Sequence, residues 1–174
     1  MSKHDYYISI FIGTESNPEG GRWYDLSSEW DRDDIENKVL SNTDTQWIVS
    51  DKKSLFKLKD EQDVGYYIEY QEMVESLTEG DLEKIGVVLE NDRNYFQDAR
   101  AAENFAEVAR IRKGDIIEYV KKRIEDGYLG DNVRELYVSN SSYIDVNAIA
   151  EWIRKSRSIA EVEWRGEMWI LETE

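Results

Sequence analysis

The sequence lacks cysteine, and it contains a single histidine and a single proline. Without cysteine the chain has neither a disulfide framework nor a thiolate metal site, which fits a reducing cytosol. The histidine, His4, stands in a polar N-terminal segment where we expect no signal peptide. No apolar run approaches the ~20 residues of a membrane-spanning helix. These shortages predict a soluble protein that does not enter a membrane and that resides in the cytoplasm.

The same shortages weigh against catalysis. Cys/His nucleophile arrangements are excluded, and a Ser/His/Asp site would have to use His4. The sequence contains neither GxxxxGK[ST] nor GxGxxG, so phosphate-binding loops are unsupported. An enzyme built on a carboxylate pair, such as a glycosidase, stays an alternative because acidic residues are plentiful, although nothing singles out one pair. We therefore predict no enzyme, no catalytic residue and no cofactor.

Two oxygen-rich segments are the strongest candidates for a metal site in the sequence. Asp31–Asp34 and Glu90–Asp92 both lack the twelve-residue spacing and the central glycine of a calcium loop. The acids of the first segment suit the start of a helix, where the macrodipole favours negative charge. We expect no metal site.

Charge is the dominant feature of what is present. The 174 residues include 38 Asp and Glu against 22 Lys and Arg, which gives a net charge of −16. A small domain usually needs a net charge of only about 2–8 in magnitude for solubility, and a larger excess destabilises the compact state. Residues 1–68, 69–112 and 113–174 carry −6, −6 and −4, so the excess runs along the whole chain. Since 6 Trp, 11 Tyr and 4 Phe argue for a folded chain, the excess charge calls for a functional benefit.

The hydrophobic pattern predicts an elongated α+β chain of three small modules. These are an N-terminal antiparallel sheet with one helix (1–65), a helical middle module (66–112) and a mixed α/β C-terminal module (113–174). In the first module we predict strands over 6–12, 22–26 and 46–50, a loop over Gly13–Gly21, and a helix over 32–40 capped by Ser28 or Asp31, with Ile35, Val39 and Leu40 inward. In the second we predict helices over 66–77, from Thr78 to Leu89, and over 95–111. In the third we predict helices over 115–124 and 147–153, and strands over 159–164 and 167–171 joined by a turn at Arg165-Gly166.

We expect Trp23, Trp47, Trp152, Trp164 and Trp169 to be core residues and Trp30 to be the least buried.

Carboxylates repeat at helical spacing in the middle module. Glu69, Glu72, Glu75, Glu79, Asp81 and Glu83 follow one another every two to four residues. On a helix a spacing of three or four residues places charges about 4.5–6 Å apart along the axis, comparable to the ~3.4 Å rise between phosphates in duplex DNA. Such a surface can occupy a groove built for DNA. The acids predicted to form it are Asp31, Asp33, Asp34, Glu36, Glu69, Glu72, Glu75, Glu79, Asp81, Glu83, Glu90, Asp92, Asp98, Glu103, Glu107, Asp115 and Glu118.

Several local motifs, in their order along the chain, resemble the ArdA-type antirestriction proteins, which are acidic DNA mimics of phages and mobile elements. The segments that carry the resemblance are Tyr7–Phe11, Gly21–Tyr24, Gln46–Asp51, Ile124–Asp131 and Tyr143–Ala150. The sequence departs from the family at Ser50, where the family often has histidine, and at Lys52-Lys53, where further acids are common.

The resemblance implies that the chain inhibits type I restriction–modification enzymes by occupying the DNA site of their specificity and methylation subunits. It also implies a homodimer joined near the C-terminal module. Independently of the resemblance, the negative charge of the chain predicts no direct binding of nucleic acid, because DNA repels an anionic protein. The residues that the resemblance assigns to the dimer or antirestriction segment are Leu129, Tyr143, Ile144, Asp145, Val146 and Trp152. The alternative is an acidic adaptor that binds a basic partner away from the partner's DNA site.

Overall fold

The computed structural model describes residues 2–108, 110–156 and 158–172. The chain divides into two compact units, residues 1–108 and 109–174. Each unit contains a three-stranded antiparallel sheet and helices, so the predicted α+β class is confirmed. The boundary predicted after residue 65 lies inside the first unit, and the boundary predicted after residue 112 lies within a strand of the second.

The helices and strands have the following bounds. The first unit contains β1 (Ser9–Thr14), β2 (Asn17–Asp25), α1 (Glu29–Ile35) continued by a π-helical turn (Glu36–Leu40), β3 (Trp47–Lys53), α2 (Val64–Ser76), α3 (Glu79–Asn91) and α4 (Ala99–Val108). The second contains β4 (Ile111–Lys113), α5 (Ile116–Glu125), α6 (Asp131–Ser139), α7 (Val146–Ser156), β5 (Ile159–Trp164) and β6 (Glu167–Glu172). Short 3₁₀ turns lie at Lys3–Tyr6 and Ser141–Tyr143.

The sheet of the first unit has the order β2-β1-β3, which leaves β3 at one edge. The predicted loop over Gly13–Gly21 is wrong, because β2 begins at Asn17 and forms a hairpin with β1. Gly13 and Gly21 permit this close pairing, since a Cβ on either one would overlap a backbone carbonyl of the opposite strand. Turn-forming residues therefore serve here as strand residues.

Helix α1 begins after Ser28, whose hydroxyl accepts a hydrogen bond from the Asp31 N–H at 3.3 Å. Of the three residues predicted to face inward, Ile35 and Val39 are buried. The prediction for Leu40 is wrong, because its side chain is 52% exposed. The helix changes to π-helical geometry after Ile35, which alters the angular position of Leu40 relative to the inner face.

Helices α2, α3 and α4 form the remainder of the first unit. The predicted cap Thr78 accepts a hydrogen bond from the Asp81 N–H at 3.3 Å and starts α3. The inner stripe of α2 includes the buried Tyr67, Tyr70 and Val74. Gln71 is fully buried beside them, and its Oε1 accepts a hydrogen bond from the Ile8 N–H at 2.9 Å. This bond connects α2 to the chain segment that leads into β1.

The predicted helix over 95–111 extends too far. Helix α4 ends at Val108, and Ile111 lies in β4 opposite Leu171 of β6. Pairing with a strand 60 residues later decides the conformation of this segment, and local periodicity does not contain that information.

The second unit packs three helices against a sheet of order β4-β6-β5. The turn at Arg165-Gly166 is confirmed, with φ values of 57° and 77°, as a two-residue hairpin requires. Helix α6 was not predicted, and none of its residues is fully buried. The core of the unit consists of Ile116, Tyr119, Val120, Ile124, Ala150, Ile153 and Ile170.

The tryptophans divide between core and surface. Trp164 and Trp169 are buried as predicted. The prediction for Trp152 is wrong, since its side chain is 65% exposed, whereas Ala150 and Ile153 of the same helix are buried. The prediction for Trp23 is also wrong, since its side chain is 37% exposed, and Trp47 is only half-buried. Trp30, expected to be the least buried, is 66% exposed. None of the described helices is long and apolar enough to cross a membrane.

Candidate acidic interface

The excess negative charge lies almost entirely in one unit. Residues 1–108 hold 25 acidic and 11 basic residues, a net charge of −14, whereas residues 109–174 hold 13 and 11, a net charge of −2. The negative charge looks evenly spread when the sequence is divided after residue 112, because Arg110 and Arg112 then fall in the helical middle. The structure assigns them to the second unit. The acidic surface is therefore a property of the first unit.

An open groove of about 470 Å³ lies between α2 and the start of α4. Four predicted acids line it: Glu69 and Glu72 from α2, Asp98 just before α4, and Glu103 within it. Arg100 is the one basic residue in its lining within the described part of the chain. We call this feature the acidic groove, and define it by the four carboxylates.

The amphipathic pattern of α2 explains why these acids face the groove. Tyr67, Tyr70 and Val74 occupy the inner stripe, so Glu69 and Glu72 take the outer side. Burial raises the pKa of the Tyr70 hydroxyl, and the nearby Tyr66, Asp98 and Glu69 add to the shift. The tyrosine therefore stays neutral, and the negative charge of this region resides on the carboxylates.

The groove carboxylates are available to a partner. Glu69 and Glu72 have no ion-pair partner among the described residues. The Asp98 carboxylate accepts a hydrogen bond from the Ala101 N–H at 2.8 Å, and Glu103 accepts one from the Ser76 hydroxyl at 3.2 Å. Each of these carboxylates keeps lone pairs for a further donor. A lysine or arginine side chain from another molecule would find several acceptors here.

The linear row from Glu69 to Glu83 does not form one stripe. Helix α2 ends at Ser76, and Glu79 starts a separate helix. Glu75 accepts a hydrogen bond from Gln71 at 2.9 Å and pairs with Arg32 at 3.4 Å. Glu79 accepts a hydrogen bond from the Lys3 N–H at 3.1 Å.

Asp81 is also engaged within the molecule. Hydrogen bonds from the Thr78 hydroxyl and the Lys84 ammonium, at 2.6 and 3.0 Å, lower its pKa. The row therefore spans the two predicted helices, and Glu75, Glu79 and Asp81 have partners within the molecule. Only its first two members reach the groove, where they meet Asp98 and Glu103.

Two of the predicted acids on α1 stabilise the first unit internally. Arg22 pairs with Asp31 at 3.1 Å and with Asp34 at 2.9 Å, and the two carboxyl side chains are only 16% and 11% exposed. The Arg22 guanidinium also lies over the rings of Tyr24 and Trp30. Asp33 and Glu36, in contrast, are exposed. The α1 contribution to an acidic surface is reduced to these two residues.

We expect the variant Arg22→Ala to unfold at a lower temperature than the wild type at pH 7. Lys38 and then Arg22 hold the pKa of Asp34 below its usual value, so this stabilisation is present above the unfolded-state pKa of about 3.9. It is lost as pH falls through the folded-state pKa. The difference between variant and wild type should thus shrink below about pH 4 in thermal unfolding followed by circular dichroism. Arg100→Ala is the control, and an equal loss in both variants would contradict the assignment.

The lysines at the end of β3 and just after it, Lys52, Lys53, Lys57 and Lys59, are engaged in contacts within the molecule. Lys52 pairs with Asp60, Lys57 pairs with Glu90 at 3.4 Å, and Lys59 donates to the Phe96 carbonyl at 2.9 Å. Lys53 lies over the Trp23 ring at 4.4 Å. The departure from the acidic pattern at these lysines therefore does not create a free basic patch.

The other predicted acids are scattered. Glu90 is engaged by Lys57, and Asp92 accepts a hydrogen bond from the Asn94 N–H at 2.9 Å. Asp115 caps α5 by accepting a hydrogen bond from the Glu118 N–H at 2.9 Å. Glu83 is partly buried, whereas Glu107 and Glu118 are exposed. None of these six residues lines the acidic groove.

The predicted dimer segment divides into core and surface residues. Leu129, Ile144 and Val146 pack against the core of the second unit. Tyr143 and Trp152 are 71% and 65% exposed, and Asp145, also exposed, accepts a hydrogen bond from the Ala148 N–H. Sequence reasoning missed the exposed apolar residues of α6, Leu136 and Val138. The helical spacing of Val133, Leu136 and Tyr137 after Gly130 was the available signal for α6.

The chain matches no protein-family model and no curated protein. Within the described ranges no group of three or more acidic or histidine side chains is arranged to hold a metal ion. An assignment of function therefore depends on the acidic surface and on the local motifs.

Proposed function

We propose that this protein is a DNA mimic that occupies the DNA-binding site of a type I restriction–modification enzyme or a related host defence nuclease. The observation that carries the proposal is the concentration of charge: a net −14 in residues 1–108, with four carboxylates along one groove. The protein would act in the host cytoplasm as an inhibitor without chemistry of its own.

The spacing of the groove carboxylates supports mimicry. Glu69 and Glu72 are three residues apart on α2, an axial separation of about 4.5 Å, and Asp98 and Glu103 supply a second line of charge across the groove. Duplex DNA likewise presents phosphates on both sides of a groove, at about 3.4 Å of rise along each strand. Lysine and arginine side chains that contact phosphates can contact these carboxylates with the same type of charge-assisted hydrogen bond.

The presence of two mutually repelling carboxylates on α2 also supports a binding role. Glu69 and Glu72 are like charges at i, i+3, an arrangement that destabilises a helix by about 0.2–0.5 kcal/mol. Attraction between these carboxylates and the lysine and arginine side chains of a positively charged partner would offset this cost on binding.

An inhibition assay tests the proposal. Purified type I enzyme should cleave unmodified plasmid more slowly in the presence of this protein, and raising the plasmid concentration should relieve the inhibition. Binding should weaken steeply with salt, as it does for DNA itself. Full cleavage at saturating protein, with every representative enzyme tested, would refute the proposal.

The exposed apolar side chains of the second unit favour self-association as part of this function. Tyr143 and Trp152 are mostly exposed although both are large and aromatic, which is typical of interface anchors. We propose that a second copy of the chain covers them, and that the active form is a homodimer.

The double variant Tyr143→Ser/Trp152→Ser should therefore sediment as a monomer at concentrations at which the wild type is a dimer. The control is Trp30→Ser, which removes an equally exposed tryptophan from the first unit and should leave the dimer intact. A dimer that survives the double substitution unchanged would place the contact elsewhere.

A further inference from the structure

A second groove of the first unit runs along the outer edge of β3. Six consecutive residues, 47–52, line one wall of it, and residues 60–63 line the opposite wall. Successive side chains of a strand point to opposite faces of the sheet, and all six residues line this groove, so we place it along the edge of β3 that β1 leaves open. Glu15, whose N–H bonds to the Gln46 carbonyl just before β3, borders it at the start of the strand. We call this feature the β3-edge groove.

The backbone of β3 has a free side at this groove. The strand pairs with β1 only, and no backbone group of residues 47–53 bonds to another segment of the described chain. The Lys52 N–H is not available to a ligand, because it donates a hydrogen bond to the carboxylate of the neighbouring Asp51 at 2.8 Å. A register shift between Phe11 and Ile12 leaves Ser50 unpaired against β1. The stretch open to pairing is therefore Trp47–Ser50.

The charge of the groove lining determines which segment it can accept. Among the described residues the lining contains one basic side chain, Lys52, and five acidic ones: Glu15, Asp51, Asp60, Glu61 and Asp63. Lys52 and Arg93 already hold Asp60, and both lower its pKa. Asp63 caps α2 through the Tyr66 N–H at 2.9 Å. Glu15 and Glu61 are exposed and have no ion-pair partner in the described ranges, so they remain for a ligand.

We propose that the β3-edge groove binds an extended segment of a partner protein, which adds as a strand to Trp47–Ser50 and carries lysine or arginine at alternate positions. Backbone hydrogen bonds to β3 would supply much of the affinity. Alternate side chains of an added strand point the same way, so its basic residues would face Glu15 and Glu61 while the others face away. An acidic segment would be repelled. This site is distinct from the acidic groove and does not depend on the proposed mimicry of DNA.

Binding of a labelled peptide tests both parts of the proposal. The probe is the capped octapeptide Lys-Val-Lys-Thr-Lys-Val-Lys-Thr, measured by fluorescence anisotropy at 150 mM salt against the full chain. Two further peptides have the same sequence, one with N-methyl groups on the odd-numbered amides and one with N-methyl groups on the even-numbered amides. The methyl groups remove backbone donors and leave the charge unchanged. We expect at least one of the two methylated peptides to bind about tenfold or more weakly than the parent peptide.

Paired variants locate the site. Glu15→Lys/Glu61→Lys should weaken binding of the parent peptide by about tenfold or more, because two attractive contacts become repulsive. The matched control, Glu19→Lys/Asp44→Lys, makes the same change of charge at exposed positions outside the groove and should bind within about threefold of wild type. Equal binding of the methylated and parent peptides would reduce the interaction to general charge attraction and overturn the proposal. The proposal would also be overturned if the two double variants weakened binding of the parent peptide equally, or if the wild-type protein did not bind the parent peptide.

Discussion

Neutralising the four carboxylates of the acidic groove together should weaken binding to the target enzyme by about 100-fold at low salt. The variant is Glu69→Gln/Glu72→Gln/Asp98→Asn/Glu103→Gln, in which each side chain keeps its size and asparagine can still cap α4. Loss of four charge contacts at about 0.2–1 kcal/mol each gives a total of about 0.8–4 kcal/mol, and a 100-fold loss, about 2.8 kcal/mol, lies in the upper half of that range, where interactions at low salt belong. Each single substitution should change affinity by no more than about fivefold, because mimicry distributes the interaction over many groups.

A matched variant separates the groove from total charge. Glu125→Gln/Asp131→Asn/Glu135→Gln/Glu163→Gln removes four exposed acids from the near-neutral second unit and produces the same net charge. It should bind within about threefold of wild type at the same salt concentration, since none of these four acids lines the acidic groove. The groove variant should be at least as stable as wild type, because removal of the Glu69–Glu72 repulsion favours α2. Equal loss of affinity in both quadruple variants would show that net charge alone governs binding.

Replacing Leu82 by alanine should lower the free energy of unfolding by about 2–5 kcal/mol, the usual cost of a cavity in a packed core. Leu82 is fully buried on α3, the helix that packs against α4. The same substitution at the 52%-exposed Leu40 should cost about 0.5 kcal/mol or less. Urea denaturation followed by tryptophan fluorescence measures both values.

The Leu82 variant also tests whether the helices position the acidic groove. In urea concentrations at which wild type remains folded, the variant should lose binding in parallel with its helical signal. Retention of full binding after the helices have unfolded would mean that unstructured acidic chain is sufficient.

Helix starts and tight turns could be predicted, because residues close together in the sequence determine them. Thr78 stands three residues before Asp81 at the start of a helix, and Arg165-Gly166 suits a two-residue hairpin, so both assignments are confirmed. Assignments that depend on distant partners failed. Gly13–Gly21 contains turn-forming residues, yet its close approach to a neighbouring strand makes β2 begin at Asn17.

The sequence predicts that each carboxylate of the acidic groove lies on the surface, but it does not predict that the four lie together. Glu69, Glu72, Asp98 and Glu103 were all expected to be surface acids, yet about 30 residues separate the two pairs and only the packing of α2 on α4 brings them together. Asp31 and Asp34 look equivalent to these acids in the sequence. Their engagement by Arg22 depends on the position of β2 beside α1. Counting carboxylates therefore overestimates the surface that a partner can use.

A ternary-complex measurement tests the central claim most directly. The protein is bound to the purified type I enzyme, saturating duplex DNA that carries the enzyme's recognition site is added, and the species are separated by analytical ultracentrifugation. Mimicry predicts that DNA displaces the protein completely, with no species containing all three components. A stable complex of enzyme, DNA and this protein, formed with unchanged affinity, would contradict mimicry and identify the chain as an adaptor that binds away from the DNA site.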